Sequence, residues 1–285
     1  MKKALVTGAT GFIGQYVVEQ LLANGYEVIA TSAGAEKAAS MAWFNRVQYV
    51  PFRLEEFDPA VDYFRYFGQP DLLVHLAWEG LPNYKSLFHF EDNLPRHYQL
   101  LKNLVTNGLK DITITGTCFE YGMQTGALKE SDDARPDNPY ALAKDTLRKF
   151  MTELQKQQPF TFRWVRLFYM YGKGQHPKSL LSQLERALEE GKASFEMSGG
   201  MQVRDYLPVT TVAEYIVKIA GQWAVTGIIN CCSGEPVTVK QLVLDYLASA
   251  NKHIELVLGH YPYPDYEPME FWGESTKLKT ILNNE

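Results

Sequence analysis

Residues 7–14 read Thr7-Gly8-Ala9-Thr10-Gly11-Phe12-Ile13-Gly14 and join an apolar run, Ala4-Leu5-Val6, to an amphipathic pattern. Apolar residues then recur at spacings of three and four, and Asn24-Gly25 supplies a helix stop. Between a strand and a helix, such glycines let a pyrophosphate approach the backbone N–H groups at the helix start. A structural turn is the alternative. The pattern predicts a dinucleotide site that includes Gly8, Thr10, Gly11, Phe12, Ile13 and Gly14.

The composition is that of an ordinary globular protein. The chain has 285 residues, of which 46% are hydrophobic, and 33 acids against 28 bases give a net charge of −5. This balance argues against a nucleic-acid partner bound by bulk charge. Three cysteines, two of them adjacent, predict neither a disulfide framework nor a metal site. The first apolar run is too short for a signal peptide and no window reaches a transmembrane length, so we expect a cytoplasmic protein without a membrane partner.

Strand-like runs alternate with helical patterns along most of the chain. This alternation predicts an α/β fold, with a doubly wound parallel sheet (Rossmann) and a smaller interwoven α/β substrate lobe. The expected dinucleotide-binding domain comprises residues 1–168 plus about 203–230. The expected substrate-binding lobe comprises about 169–202 plus 231–285. The strands are expected at residues 26–31, 47–52, 71–77, 112–115 and 162–168.

The end of the second strand bears on the choice of cofactor. An acid usually stands there to hold the adenosine ribose, but this chain has Ser32, with Lys37 shortly after. Without a carboxylate to repel a 2′-phosphate, NADP(H) is favoured and NAD(H) remains possible. The alternative interpretation is that Ser32 is a loop residue and Lys37 a solvated surface charge. Arg53 follows the third strand, where it is either an adenine or phosphate contact or a surface residue.

The G-x-x-G-x-x-G spacing of residues 8–14 resembles the extended short-chain dehydrogenase/reductases. His75-Leu76-Ala77 is similar to the segment that ends the fourth strand of that family, beside the cofactor. We interpret His75 as structural. Asn93 matches a position near the catalytic pocket, although it is also a plausible helix cap. The resemblance implies further cofactor contacts at Leu76, Ala77, Trp78, Thr115 and Leu167.

The chemistry is predicted to lie at the end of the fifth strand and in the helix after Asn138-Pro139. Tyr140 and Lys144 are four residues apart and therefore share a helix face. With Thr117 upstream they match the family's Ser/Thr…Tyr-x-x-x-Lys triad in order and spacing. An ammonium and a positively charged nicotinamide would favour the phenolate of Tyr140, which exchanges a proton with a sugar oxygen. Thr117 would hydrogen-bond that oxygen, and Lys144 would hold the nicotinamide ribose.

Two later segments resemble the substrate-binding elements of nucleotide-sugar epimerases, dehydratases and reductases. Tyr169 stands where relatives have Asn, which puts the standard substrate contact in doubt. Arg204 matches the arginine that clamps the nucleotide diphosphate, and a surface Arg–Asp pair is its alternative. The tail offers Glu267, Met269 and Glu270 where many relatives place another arginine. The expected substrate contacts are Trp78, Asn93, Thr117, Tyr169 and Arg204.

The resemblance implies an NAD(P)-dependent oxidoreductase acting on a nucleotide sugar. Cys118 and Phe119 replace the Asp-Glu pair of the dehydratases, which disfavours elimination. We therefore expect reduction of the 4-keto group of a nucleotide-linked 4-keto-6-deoxy sugar, with Tyr140 as the proton donor. A 4-epimerase with tightly bound NAD is the alternative, and a non-catalytic nucleotide-sensing protein is a rival of another class. Relatives imply a homodimer through helices around residues 93–107 and 140–154.

Overall fold

The computed structural model describes residues 1–283. Its strands are β1 (Lys3–Thr7), β2 (Glu27–Ser32), β3 (Gln48–Pro51), β4 (Leu72–His75), β5 (Asp111–Thr117), β6 (Gly126–Leu128), β7 (Thr161–Leu167), β8 (Tyr169–Tyr171), β9 (Ser194–Glu196), β10 (Val203–Pro208), β11 (Gly227–Cys231), β12 (Pro236–Thr238), β13 (Glu255–Val257) and β14 (Phe271–Gly273). Its helices are α1 (Phe12–Ala23), α2 (Ala35–Ala39), α3 (Tyr63–Tyr66), α4 (Leu94–Thr106), α5 (Pro139–Gln157), α6 (Leu180–Glu189), α7 (Val209–Gly221), α8 (Val239–Ser249) and α9 (Thr276–Leu282).

Seven strands form one sheet in the order β3-β2-β1-β4-β5-β7-β11, and every neighbouring pair is parallel. The predicted doubly wound sheet is thus confirmed. From β1 the chain adds β2 and then β3 along one edge of β1. It then returns and adds β4 along the opposite edge of β1. Such a reversal opens a crevice at the carboxyl ends of the two strands, where ligands of open α/β sheets bind.

Helices cover both faces of this sheet, as parallel strands require. On one face α1, α7 and α9 bury apolar residues such as Val17, Ile216 and Leu278 against the strands. On the other face α3, α4 and α5 do the same, with Leu101 and Met151 among the buried side chains. Because both faces are covered, the apolar run of β4 is fully buried.

A smaller set of strands and helices stands beside the large sheet. β12, β10 and β8 form a three-stranded sheet, and β13 pairs with β9. Residues of α6 and α8 bury a separate apolar cluster here, which includes Leu184, Phe195 and Val243. β10 belongs to this small sheet, while α7, β11 and α9 pack with the large one. The chain thus crosses repeatedly between the two groups of elements.

Thr238 caps α8, because its hydroxyl accepts a hydrogen bond from the Gln241 N–H at 3.1 Å. The helices found in residues 1–283 include none that combines the length and apolar character needed to span a bilayer.

Candidate active site

The glycine turn brings three backbone segments into close contact. Gly8 has a φ of +70°, and a Cβ there would lie 2.8 Å from the Ala77 nitrogen. A Cβ on Gly14 would lie 2.1 Å from the carbonyl oxygen of Gly8, so only glycine lets α1 start this close to β1. Gly11 caps α1 without a side-chain hydrogen bond, which leaves the first N–H groups of the helix available to an anion. The turn therefore fits a dinucleotide pyrophosphate.

A cavity of about 230 Å³ lies at the crevice between β1 and β4. The residues that line it come from the carboxyl ends of four strands and include most of the predicted cofactor contacts. Among them are Gly8, Thr10, Gly11, Ser32, Arg53, Leu76, Ala77 and Trp78. Phe12 and Ile13 form the first turn of α1 beside this cavity.

Ser32 has a partner that the sequence did not indicate. Its hydroxyl lies 3.0 Å from that of Tyr49, which in turn donates to the Ser32 carbonyl at 3.0 Å. Lys37 is exposed on α2. The Ser32 hydroxyl is thus committed to the neighbouring strand, which weakens the expected role of this residue toward a 2′-phosphate.

The three predicted catalytic side chains all lie at the carboxyl end of β5. Thr117 is the last residue of β5, where the strand register places it beside Leu167 of β7. Tyr140 and Lys144 project from the first turns of α5, which begins with Asn138 as a side-chain cap. Lys144 Nζ donates to the Thr115 carbonyl oxygen at 2.8 Å.

Burial governs the ionisation of the two α5 residues. Burial raises the pKa of Tyr140 above its ordinary value, and the nearby Tyr84 and Glu120 raise it further. The Thr117 side chain opposes this rise. Burial also lowers the pKa of Lys144 to about 7, while Glu120 acts in the opposite direction. In the protein without a cofactor these effects favour the neutral phenol of Tyr140, which is the form that donates a proton.

Trp78 lines the cofactor cavity and also contacts Lys144. The Lys144 ammonium stands 4.1 Å from the centre of the indole ring. The indole N–H donates to His89 Nδ1 at 3.1 Å, and the other imidazole nitrogen of His89 lies 2.8 Å from the Asn83 carbonyl oxygen. Sequence reasoning missed His89, because no spacing signal relates it to Trp78.

Glu120 is a second residue that sequence reasoning missed. Its buried carboxylate accepts from the Thr117 backbone N–H at 2.9 Å and from Trp164 Nε1. It also forms an ion pair with Arg166 Nε at 2.8 Å. Thr117-x-x-Glu120 is a capping box for the short helical turn that follows β5, and that spacing was a readable signal. Because Glu120 is fully engaged, it is not a free acid for elimination.

A second cavity, of about 640 Å³, opens between the large sheet and the smaller lobe. It is lined by tyrosines from several segments, with Lys85, His176 and Lys178 at its edge. These tyrosines are Tyr84, Tyr169, Tyr171, Tyr206 and Tyr266. The ring of Tyr84 packs on Tyr140 with a centroid distance of 5.6 Å, which joins this cleft to the catalytic residues.

Arg204 is buried, lies near the ring of Tyr169 and has an acidic neighbour. Its Nη1 donates to the carbonyl oxygens of Val203 and Met269 at 2.8 and 3.1 Å. Its Nη2 lies 3.2 Å from Glu267 Oε1 without hydrogen-bond geometry. The hydroxyl of Tyr169 donates to the other oxygen of Glu267. The structure thus brings Tyr169 and Arg204 together around a carboxylate.

Two further predicted residues are buried and fix loops near the site. Asn93 donates from Nδ2 to the Glu79 carbonyl oxygen at 2.9 Å and provides no side-chain cap for α4. His75 is held between Thr7 and His97, each 2.8 Å away, and burial lowers its pKa to about 3. The structural interpretation of His75 is therefore confirmed. No group of His, Cys, Asp and Glu side chains in residues 1–283 is arranged to hold a metal ion.

Comparison with known proteins gives a family and many similar enzymes, among them two nucleotide-sugar 4-dehydrogenases. A model described as the NAD dependent epimerase/dehydratase family matches residues 4–232. The dTDP-6-deoxy-L-talose 4-dehydrogenase (NAD(+)) of Aggregatibacter actinomycetemcomitans is 29% identical over 272 residues, which cover 94% of this chain and 98% of that protein. The GDP-6-deoxy-D-talose 4-dehydrogenase of the same organism is 26% identical, with 99% and 92% covered.

Solved structures share the fold. The UDP-glucose-4-epimerase of Stenotrophomonas maltophila, with bound NAD, superposes with a TM-score of 0.87 at 16% identity and covers 99% of this chain and 93% of its own. The UDP-glucuronic acid 4-epimerase of Bacillus cereus, in complex with UDP-glucuronic acid and NAD, gives 0.83 at 22% identity, with 99% and 93% covered. At these identities the likeness establishes the architecture alone.

Proposed function

The chain belongs to the NAD dependent epimerase/dehydratase family, and from that premise we propose that it transfers hydride at C4 of a nucleotide-linked 6-deoxy sugar. Membership confirms the predicted family and the predicted NAD(P)-dependent enzyme. The reaction we propose interconverts a 4-keto-6-deoxy sugar and its 4-hydroxy form. Both 4-dehydrogenases described above are named for this chemistry in the oxidative direction, whereas the sequence suggested reduction.

One observation supports this reaction best: the buried phenol of Tyr140 lies beside Thr117 and packs on Tyr84, which lines the cleft. When bound, the nicotinamide supplies or accepts the hydride. Tyr140 gives its proton to the sugar oxygen in reduction, and in oxidation its phenolate form takes the proton back. Thr117 orients that oxygen, and Glu120 fixes the Thr117 backbone. Whenever Lys144 is protonated, its ammonium places a positive charge near the Tyr140 phenol.

We propose NAD(H) as the cofactor. The NADP(H) preference inferred from Ser32 has no support. The Ser32 hydroxyl is hydrogen-bonded to that of Tyr49, and the similar 6-deoxy-L-talose 4-dehydrogenase is named for NAD(+). The proposed contacts are the glycine turn for the pyrophosphate and Lys144 for the nicotinamide ribose. The cavity proposed to hold the remainder of the cofactor is lined by Arg53, Leu76, Ala77 and Trp78.

The substrate is proposed to occupy the cleft of about 640 Å³, with its sugar toward Tyr140 and its diphosphate toward Arg204. Trp78 and Tyr169 would border the sugar, and Asn93 would act through the loop that it fixes. Residues 1–168 with about 203–230 are proposed as the cofactor domain, and about 169–202 with 231–285 as the substrate lobe. Two elements depart from this division, because β10 belongs to the small sheet and α9 packs on the large one.

Turnover assays in both directions test the proposal. Purified protein should oxidise NADH with a dTDP- or GDP-linked 4-keto-6-deoxy sugar, and it should reduce NAD+ with the matching 6-deoxytalose. The stereochemistry of the product is read by NMR. Interconversion of gluco and galacto nucleotide sugars without net NADH consumption would instead establish the 4-epimerase. Ligand binding without any turnover would favour the sensing protein.

A homodimer is proposed through α4 and α5. Two large apolar side chains of α5 are exposed in the isolated chain, Leu142 at 46% and Phe150 at 42%. Phe150 also packs edge-on against Tyr98 of α4 at 5.1 Å, so one of these exposed apolar side chains lies against α4. Light scattering of the wild type and of Phe150→Glu gives the test, since the charge should produce monomers. We propose a cytoplasmic location on the absence of disulfides among the three cysteines.

A further inference from the structure

Glu267 stands where an anionic substrate group is expected. The proposed function assigns the substrate's diphosphate to Arg204, yet the carboxylate of Glu267 already lies 3.2 Å from the Arg204 guanidinium. We propose that Glu267 is the internal counterion of Arg204, and that it takes up one proton when a substrate diphosphate binds there. Glu267 would then determine the charge of the ligand that the cleft accepts. This inference rests on the proposed function.

The first support is the state of Arg204. Only 2% of its side chain is exposed, and its Nη1 is satisfied by two carbonyl oxygens. Nη2 has no hydrogen-bond partner, and the Glu267 oxygen beside it is poorly aligned. A buried donor that lacks a partner costs free energy, which a well-placed oxygen of a ligand recovers.

The second support is the position of Glu267 itself. Its carboxylate is held by the hydroxyl of Tyr169, which lines the cleft. The preceding residue, Tyr266, also lines the cleft and packs on Tyr84 at 5.8 Å. A diphosphate reaching Arg204 therefore comes close to the Glu267 oxygens. Two like charges in one water-poor site repel each other, and protonation of the carboxyl removes that repulsion.

Of the side chains of Glu267, Tyr84 and Cys118, only that of Glu267 titrates near neutral pH. Burial raises its pKa to about 7, even though the Arg204 guanidinium is adjacent. Burial also raises the pKa of Tyr84 to about 12, and that of Cys118 above its ordinary value. On its own segment, Asp265 is exposed and paired with Lys85. A bound anion favours the protonated form of Glu267 further, so binding is linked to proton uptake above pH 7.

Calorimetric titration of the NAD-loaded protein tests the inference. The probes are dTDP-glucose and GDP-mannose, whose diphosphate diesters do not titrate near neutrality. Heats measured at pH 8 in two buffers of different ionisation enthalpy give the number of protons taken up. We expect about one proton per nucleotide sugar at pH 8, and binding about tenfold weaker at pH 8 than at pH 6. Glu267→Gln should abolish both effects and should bind more tightly at pH 8 than the wild type.

Glu270→Gln is the matched control, because this exposed carboxylate lies three residues further along the same segment. It should keep the wild-type proton uptake. Binding by the wild type without proton uptake would overturn the inference and leave the proposed function intact, and this measurement does not depend on any variant folding. An unchanged pH dependence in Glu267→Gln would overturn it as well. Failure of the wild type to bind any nucleotide sugar would contradict the proposed function, and this inference with it.

Discussion

Tyr140 and Lys144 lie one helical turn apart, and burial changes their pKa values in opposite directions. The phenol is held neutral, while the pKa of the ammonium falls to about 7. Each shift has the same cause, since a poorly solvated site disfavours the charged form of either group. Lys144 keeps two compensating contacts, the Thr115 carbonyl oxygen and the face of Trp78. At the scale of the residue, Lys144 and not Tyr140 therefore changes its charge near neutral pH in the cofactor-free protein.

Replacing Tyr140 by phenylalanine removes only the hydroxyl that exchanges the proton. We expect kcat to fall by about 10²–10⁴-fold, the usual contribution of a positioned general acid or base. The Kd for NADH should stay within about threefold, because the ring and its packing are preserved. Steady-state kinetics and fluorescence titration measure the two quantities. Tyr215→Phe, on α7 at the far face of the sheet, is the control and should retain full activity.

The stability of the cofactor-free protein should depend on pH through Lys144. The folded protein releases the Lys144 proton near pH 7, whereas the unfolded chain keeps it until near pH 10.5. The unfolded state thus binds more protons between these values, and stability rises with pH there. Relative to Lys144→Met, the wild type should gain about 2 kcal/mol of unfolding free energy from pH 7.5 to 9.5.

Urea unfolding at each pH gives these free energies. Lys102→Met, which changes an exposed lysine on α4, is the control and should track the wild type. A constant difference between the wild type and Lys144→Met across this range would contradict the lowered pKa of Lys144.

At the scale of the element, the start of α1 is fixed by backbone contact and not by side chains. Gly14→Ala would place a methyl group 2.1 Å from the Gly8 carbonyl oxygen, so α1 must move away from β1. We expect a loss of about 1–3 kcal/mol in stability and a Kd for NAD raised at least tenfold. Gly34→Ala is the control, since its Cβ would meet nothing nearer than 3.8 Å. Equal NAD affinity in both variants would show that the turn does not hold the pyrophosphate.

The end of β5 depends on the buried pair of Glu120 and Arg166. Glu120→Gln keeps an acceptor for the Thr117 N–H but leaves the Arg166 guanidinium without a counterion. Breaking a buried ion pair in this way costs about 3–5 kcal/mol. Chemical denaturation measures the loss, whereas kcat should change much less than in Tyr140→Phe, because the amide oxygen can still accept from the Thr117 N–H. Glu153→Gln alters only an exposed pair with Lys156 and should cost less than about 1 kcal/mol.

At the scale of the whole molecule, the cofactor stabilises the fold by mass action. NAD at a hundred times its Kd should add about 2.7 kcal/mol to the unfolding free energy. A scanning measurement of the melting temperature should therefore show a rise of several degrees with NAD and a smaller rise with NADP at the same concentration. A larger rise with NADP would restore the preference first inferred from Ser32.

The sequence by itself determined the parts of this protein that depend on short spacings. Glycines at positions 8, 11 and 14 can be recognised because turn geometry is local. The Tyr140–Lys144 pair can be recognised because helical periodicity places residues four apart on one face. The alternation of strands and helices gave the doubly wound sheet, since a parallel sheet follows from short right-handed crossovers.

Tertiary structure alone decided which distant residues surround these local features. Glu267 meets Arg204 across 63 positions of chain, and Ser32 meets Tyr49 of the neighbouring strand. Lys144 reaches Trp78 only because α5 packs against β5, which pairs with β4 in the sheet. Each of these contacts sets a charge or commits a hydrogen bond, and none has a spacing that the chain reveals. The physical reason is that ionisation follows from burial and from through-space neighbours, which exist only once the lobes are assembled.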